Sequence, residues 1–336
     1  MSDLRLKRTG VLSIDQYVQN VGEVWSDIHP RRTVLDCALH VLDHASRLGE
    51  AVRKDDASDI LKETAQTTNW LFGFVGRLNS RPKVFAWESV FDIRTSFSRM
   101  IWDKFPRLCP HCFERLCMAP GGKRTAIEIA SEISGKCKYC LTQYPAVERR
   151  SELKTEEQRQ QYHRRKREAE ALRREVADNT SANRPRSLQK LEEMFHQLYK
   201  STVAVLTIES IGFHLLEEAG EMARAVIDLY TTAKDSAEEL KQRQLDLCDE
   251  TAEVFAWMCS LTLKVQEGAK AFDKFRDKLV VDVVPSAGEG GHLADFTSLE
   301  KILWVEYKQK DGDRYRCPYC SQVLCVCKIK FRWEPE

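Results

Sequence analysis

Glycine and proline are scarce in this chain, with 15 and 10 residues among 336. Set against long runs rich in Leu, Ala, Glu, Lys and Arg, that scarcity argues against a turn-dense architecture and for a mostly helical one. An excess of charge of either sign is also missing. The 52 Lys and Arg against 51 Asp and Glu leave a net charge of +1, so no global field gathers nucleic acid or an anionic membrane. No uncharged apolar run reaches the roughly 18 residues that a spanning helix needs. The opening MSDLRLKRTG carries no apolar signal segment. These absences lead to the expectation of a cytoplasmic protein without a membrane partner. Cytoplasmic thiols stay reduced, so the 12 cysteines are expected to serve something other than disulfides.

What is present is enough apolar content, 43%, to build real cores, and a length that suits about two domains. Sliding the sequence by 174 positions aligns LSIDQYVQNVGEVW (12–25) with RSLQKLEEMFHQLY (186–199), and HVLDHASRLGEAV (40–52) with HLLEEAGEMARAV (214–226). After 13 extra residues in the second segment, KETAQTTNWL (62–71) meets DETAEVFAWM (249–258). Finally IWDKFPRLCPHCFERLC (101–117) answers LWVEYKQKDGDRYRCPYCSQVLC (303–325). Four matches in one order point to a tandem duplication, with one repeat over 12–145 and another over 186–330. Between them, 146–185 reads as an exposed, charged helix ending near Asn179, then a short polar linker with Pro185. Its HRRKR run (163–167) reads as a solvated face and receives no site.

The second repeat concentrates carboxylates. On a helix, Glu221 lies about 40° and Glu218 about 100° from Glu217, so all three project into one sector. Such like charges repel by a few tenths of a kcal/mol per pair unless something positive faces them. Glu250 and Glu253 form a second acidic pair at i,i+3, on a stretch whose Leu247, Val254, Trp257, Met258 and Leu261 suit a buried face. If the two helices pack antiparallel, the acidic sides face each other around one cavity. Oxygen ligands with no cysteine among them favour Mg2+ or Mn2+ over Zn2+. His214 falls in the same sector. Its counterpart His40 sits where no acidic cluster exists, which points to a packing role for both.

The pattern EExxE, a spacer, then an acidic pair at i,i+3 ahead of an apolar helix resembles the signature of the MazG-like, all-α nucleoside triphosphate pyrophosphohydrolases. SLQKLEEMFHQLY is similar to that family's entry helix, HLLEEAGEMARAV to its first acidic helix and DETAEVFAWM to its second. The cysteine-rich ending resembles that of some members. The resemblance implies hydrolysis of a nucleoside triphosphate between its α and β phosphates, giving a monophosphate and pyrophosphate. It implies magnesium held by Glu218, Glu221, Glu250 and Glu253, a water oriented or deprotonated by Glu217, and phosphate contacts from Lys270, Lys274 and Arg276. Glu253 stands where the family usually has Asp; one methylene more shifts the geometry without removing a ligand. Family members pair subunits into a bundle, so the two repeats are expected to pair within one chain, and a homodimer remains open.

The first repeat is the internal control. In place of Glu217, Glu218, Glu221, Glu250 and Glu253 it has Asp43, His44, Arg47, Glu63 and Gln66. Its apolar frame, Leu42, Leu48, Val52, Trp70 and Leu71, is kept. The scaffold therefore does not require the glutamates, and in the second repeat they serve chemistry.

Cys109, Cys112, Cys137 and Cys140 form a CxxC…CxxC set, and Cys317, Cys320, Cys325 and Cys327 a more compact one. Both have the composition of structural zinc knuckles. Cys117 aligns with Cys325 and offers an alternative ligand in the first. Cys37, Cys248 and Cys259 lie in apolar helical surroundings and read as core. The expectation is an all-α protein of two MazG-like helical repeats, each closed by a zinc knuckle, joined by a charged helix and acting on nucleoside triphosphates. The competing class is a non-enzymatic nucleotide sensor or scaffold; a zinc-dependent nucleic-acid adaptor is a third.

Overall fold

The computed structural model describes residues 12–25, 32–80, 86–107, 171, 173–231, 236–267, 298–300 and 302–303. Among these residues every regular element is helical, and the β pairing is limited to one isolated antiparallel bridge between Ser13 and Ser187. The described residues are all-α.

Local chemistry marks where the helices begin. Helix α1 (Ile14–Val24) opens on a reciprocal capping box: the Ser13 hydroxyl accepts from the Gln16 N–H, and the Gln16 carboxamide accepts from the Ser13 N–H at 2.7 Å. Thr33 caps α2 (Val34–Arg53) by accepting the Asp36 N–H at 2.9 Å. Asp55, at φ 53°, turns the chain into α3 (Ala57–Asn79). A 3-10 helix (Ala86–Phe91) and α4 (Phe97–Lys104) follow. Residues 173–179 form α5, and a 3-10 turn (Ser181–Asn183) leads to α6 (Leu188–Val205), capped by Ser187. Thr207 accepts the Ser210 N–H at 3.2 Å where α7 (Ile208–Thr231) starts. Ser236 and Glu239 cap α8 (Ala237–Glu267) reciprocally. Ser13 and Ser187, and likewise Thr33 and Thr207, stand 174 positions apart.

Helices α2 and α3 pack as one hairpin and α7 and α8 as another, and the two hairpins meet through α2 and α7. Helix α1 lies on α3 as α6 lies on α8. The bridge between Ser13 and Ser187, with the Ile14 N–H donating to the Arg186 carbonyl at 2.8 Å, joins the two entry helices at their starts. The apolar positions read from the sequence are inside: Leu48, Val52, Leu71, Leu247, Val254, Met258 and Leu261 are buried, as are the free thiols Cys37, Cys248 and Cys259.

Helix α4 crosses between the halves. It contacts α1 and also α8. Phe97 meets Phe255 edge-on at 5.4 Å, Phe105 meets Phe195 at 5.0 Å, and the buried Trp102 donates from Nε1 to the Ala177 carbonyl at 2.9 Å. The 3-10 helix crosses as well, with the Val90 carbonyl accepting from Gln244 at 2.7 Å. It is pinned by a fully buried ion pair between Arg77 and Glu88 at 2.9 Å, in which Glu88 also accepts the Val34 N–H. The expected solvated character of the connecting helix needs correction over its last turns. Arg173 and Ala177 are buried, because α5 packs beside α4 and supplies a cation to carboxylates on α8. No helix among the described residues is long and apolar enough to cross a membrane.

Candidate metal centre

The carboxylates come from two antiparallel helices. His214 lies against Trp257 and Glu218 also reaches Trp257, while Glu221, one turn further along α7, meets Glu250 one to two turns back along α8. One oxygen each from Glu218, Glu221 and Glu250 lies within 4.8 Å of the others. This is the group with metal-ligand character among the described residues. Glu218 is oriented by the Trp257 indole, whose Nε1 donates to Oε1 at 3.3 Å. The second oxygens of Glu218 and Glu250 are buried and meet no protein donor. A buried carboxylate oxygen without a donor is costly when ionised, and a cation is what removes that cost.

The electrostatics agree with the geometry. Burial first, and then the charges of Glu253, Glu250 and Glu221, push the Glu218 carboxyl far above the usual carboxylate range. Burial and Glu253 push Glu250 up too, against the opposing charge of Lys104. Left to themselves, both groups resist ionisation.

The remaining acidic residues have other neighbours. Glu253 takes the ammonium of Lys104, with Nζ 2.5 Å from Oε1, and its charge also bears on Glu218. Asp249 pairs with Arg173 at 2.5 Å and faces the same Lys104 at 3.6 Å. Lys104 is only 11% exposed; burial pulls its pKa down, but Glu253 and Asp249 outweigh that and hold it above its ordinary value. Glu217 stands outside this group, with its side chain 62% exposed and bonded to His214 Nδ1 at 3.3 Å. His214 stacks on Trp257 at 4.5 Å, the packing role read from the sequence. Lys270, Lys274, Arg276, the HRRKR run and the cysteines Cys109, Cys112, Cys117, Cys137, Cys140, Cys317, Cys320, Cys325 and Cys327 lie outside the described residues. Neither the cavity of about 300 Å³ beside Trp102 nor that of about 550 Å³ at the starts of α1 and α6 includes any of these carboxylates. The acidic group meets solvent through Glu221.

The aligned positions on α2 and α3 hold different chemistry in the same frame. His40 stacks on Trp70 at 4.1 Å as His214 does on Trp257. Where Glu218 and Glu250 stand in one hairpin, His44 and Glu63 stand in the other, bonded at 2.8 Å and both buried. Arg47 turns outward to Asp43 at 2.8 Å, and Gln66 is buried. Here a histidine supplies in place what the glutamate hairpin lacks, a partner for the buried carboxylate.

Sequence reading missed Lys104, Arg173 and Asp249. Asp249 directly precedes Glu250 and had a local signal. The two cations come from other elements, and no spacing rule connects them to α8. Scans of protein-family models, curated proteins and solved structures found no significant match to this chain.

Proposed function

We propose that the C-terminal half is a magnesium-dependent nucleoside triphosphate pyrophosphohydrolase of the MazG-like kind, with the N-terminal half its degenerate, non-catalytic repeat. The observation that carries this reading is the convergence of Glu218, Glu221 and Glu250 with two donorless buried oxygens, in a frame whose other copy replaces the site by a His44–Glu63 pair. The donor set fits a hard divalent cation: it is all oxygen, partly buried and short of positive charge. Glu218, Glu221 and Glu250 would hold it. When bound, magnesium neutralises the triphosphate and acidifies a water. The Trp257 indole, donating to Oε1 of Glu218, limits the swing of that carboxylate. Exposed Glu217, one turn before Glu221, is suited to take a proton from a water arriving from solvent, and its bond to His214 limits its swing. Lys104 faces Glu253 and Arg173 faces Asp249, each with a positive charge from elsewhere in the chain. Lys270, Lys274 and Arg276 are assigned to phosphate oxygens, and the two cysteine sets to structural zinc.

The site is tested by pyrophosphate release over ribo-, deoxyribo- and modified nucleoside triphosphates with and without magnesium. The expected outcome is magnesium-dependent release that Glu218→Gln and Glu221→Gln abolish. Tight binding without release would favour the second reading, a nucleotide sensor or scaffold. The engagement of Glu253 by Lys104 is the observation on its side.

A further inference from the structure

Five carboxylates converge where α7 and α8 meet: Glu218, Glu221, Asp249, Glu250 and Glu253. They fall into two sets with different company. Glu218, Glu221 and Glu250 gather around one point and include both donorless oxygens. Asp249 and Glu253 lie against an ammonium that enters from the end of α4, in the other half of the molecule. Lys104 is not a surface lysine that happens to reach an acid. Its side chain is nearly enclosed, Phe105 after it is buried against Phe195, and Trp102 before it is locked to Ala177. The tip of α4 thus delivers one positive charge to a fixed point. The aligned position in LWVEY carries Glu306, and the positions aligned with Asp249 and Glu253 carry Lys62 and Gln66, so the lysine goes with the acidic pair it faces.

Two-cation sites hold their metals roughly 3.5–4 Å apart, each needing its own share of carboxylate. A second divalent ion beside Glu253 would have to displace the ammonium or sit against it, and at such range like charges repel strongly in a partly buried setting. We infer that Lys104, supplied by the N-terminal half, is a built-in cation that stands where a second divalent ion would otherwise bind, so that the site holds a single divalent cation on Glu218, Glu221 and Glu250. This rests on reading the carboxylate group as a metal centre. It gives the N-terminal half a direct part in the chemistry of the site: α4 sets how many metals the C-terminal half carries. In this arrangement Lys104 is a positioning residue, acting through Glu253 and Asp249.

The test counts Mn2+ bound to the full-length, zinc-replete chain by electron paramagnetic resonance, with no nucleotide present. The wild-type protein is expected to bind one Mn2+, lost in Glu218→Gln. Lys104→Met, which keeps the length and packing of the side chain without its charge, is expected to bind two, and Lys104→Arg one. Glu253→Gln, which does not depend on tolerance of a change at Lys104, is expected to retain one. Two Mn2+ in the wild type, one in a folded Lys104→Met, or none in Glu253→Gln each overturn the inference, the last by making Glu253 a ligand. No Mn2+ in the wild type removes the metal centre itself, a failure distinct from the others.

Discussion

Glu218 concentrates the conflict within the site. It is half-buried beside three other carboxylates, one of its oxygens has no donor, and burial and Glu253 push its pKa far above the usual range. Replacing it with Gln removes a proposed ligand and also removes that conflict. Glu218→Gln is therefore expected to lose all pyrophosphate release while the metal-free protein melts at the same temperature or higher, as read by calorimetry. A large fall in melting temperature would mean that Glu218 is built into the fold and not strained by it. Glu192 gives a second residue-scale expectation. Its oxygens accept the Leu299 N–H at 3.1 Å and the Thr262 hydroxyl at 2.6 Å, yet burial pushes its pKa up to about 7. A carboxyl with a raised folded pKa binds more protons folded than unfolded. Its stabilising contribution is full below its ordinary 4.5 and is lost as pH rises through about 7. At about 1.4 kcal/mol per unit, the loss is on the order of 3 kcal/mol. Denaturant midpoints measured from pH 4.5 to 8 should decline more steeply in the wild type than in Glu192→Gln, and parallel profiles would remove the assignment.

At the scale of elements, the α2–α3 hairpin shows what the α7–α8 hairpin has given up. His44 and Glu63 complete each other, so removing one partner leaves a buried polar group alone. His44→Ala is expected to cost about 1–3 kcal/mol in chemical denaturation, with little effect on Mn2+ binding by the other hairpin. An unchanged midpoint would show the pair to be dispensable. Comparison of the hairpins also explains what the sequence disclosed. Caps and acidic clusters are local patterns: Ser13 with Gln16, Thr33 ahead of α2, and Glu218 with Glu221 all follow from spacing along one helix. The all-α class and the meeting of Glu221 with Glu250 were legible for that reason. Lys104 and Arg173 were not, because their role is decided by α4 and α5 packing against α8. Local composition even pointed the wrong way for Arg173, which sits in a charged run yet is buried. The knuckle cysteines lie outside the described residues, so their reading rests on spacing alone. It predicts two zinc ions per chain by elemental analysis of protein purified without chelator, and a zinc-free chain would remove both knuckles.

On the scale of the whole molecule, neither half is finished without the other. Helix α7 buries Ile211, Leu215, Met222 and Val226, and its packing is divided between α8 in its own half and α2 in the other. The entry helices α1 and α6 are tied start to start at Ser13 and Ser187, and α4 carries Phe97 and Phe105 onto Phe255 and Phe195. A fragment beginning near Arg186 would lose α2, the aromatic contacts and Lys104 together. Exposing a contiguous apolar face of that kind drives association. The fragment is therefore expected to elute as an oligomer or aggregate in size-exclusion chromatography. Loss of Lys104 and Arg173 would also leave Asp249 and Glu253 without their cations, adding repulsion to an acidic group that is already short of positive charge. Supplying residues 12–185 in trans restores α2, α4 and α5 at once, and should return a defined heterodimer with the Mn2+ stoichiometry of the intact chain. A fragment that is soluble, monomeric and as active as the full protein would sink this account: the N-terminal half would then be neither a packing partner nor the source of a necessary charge.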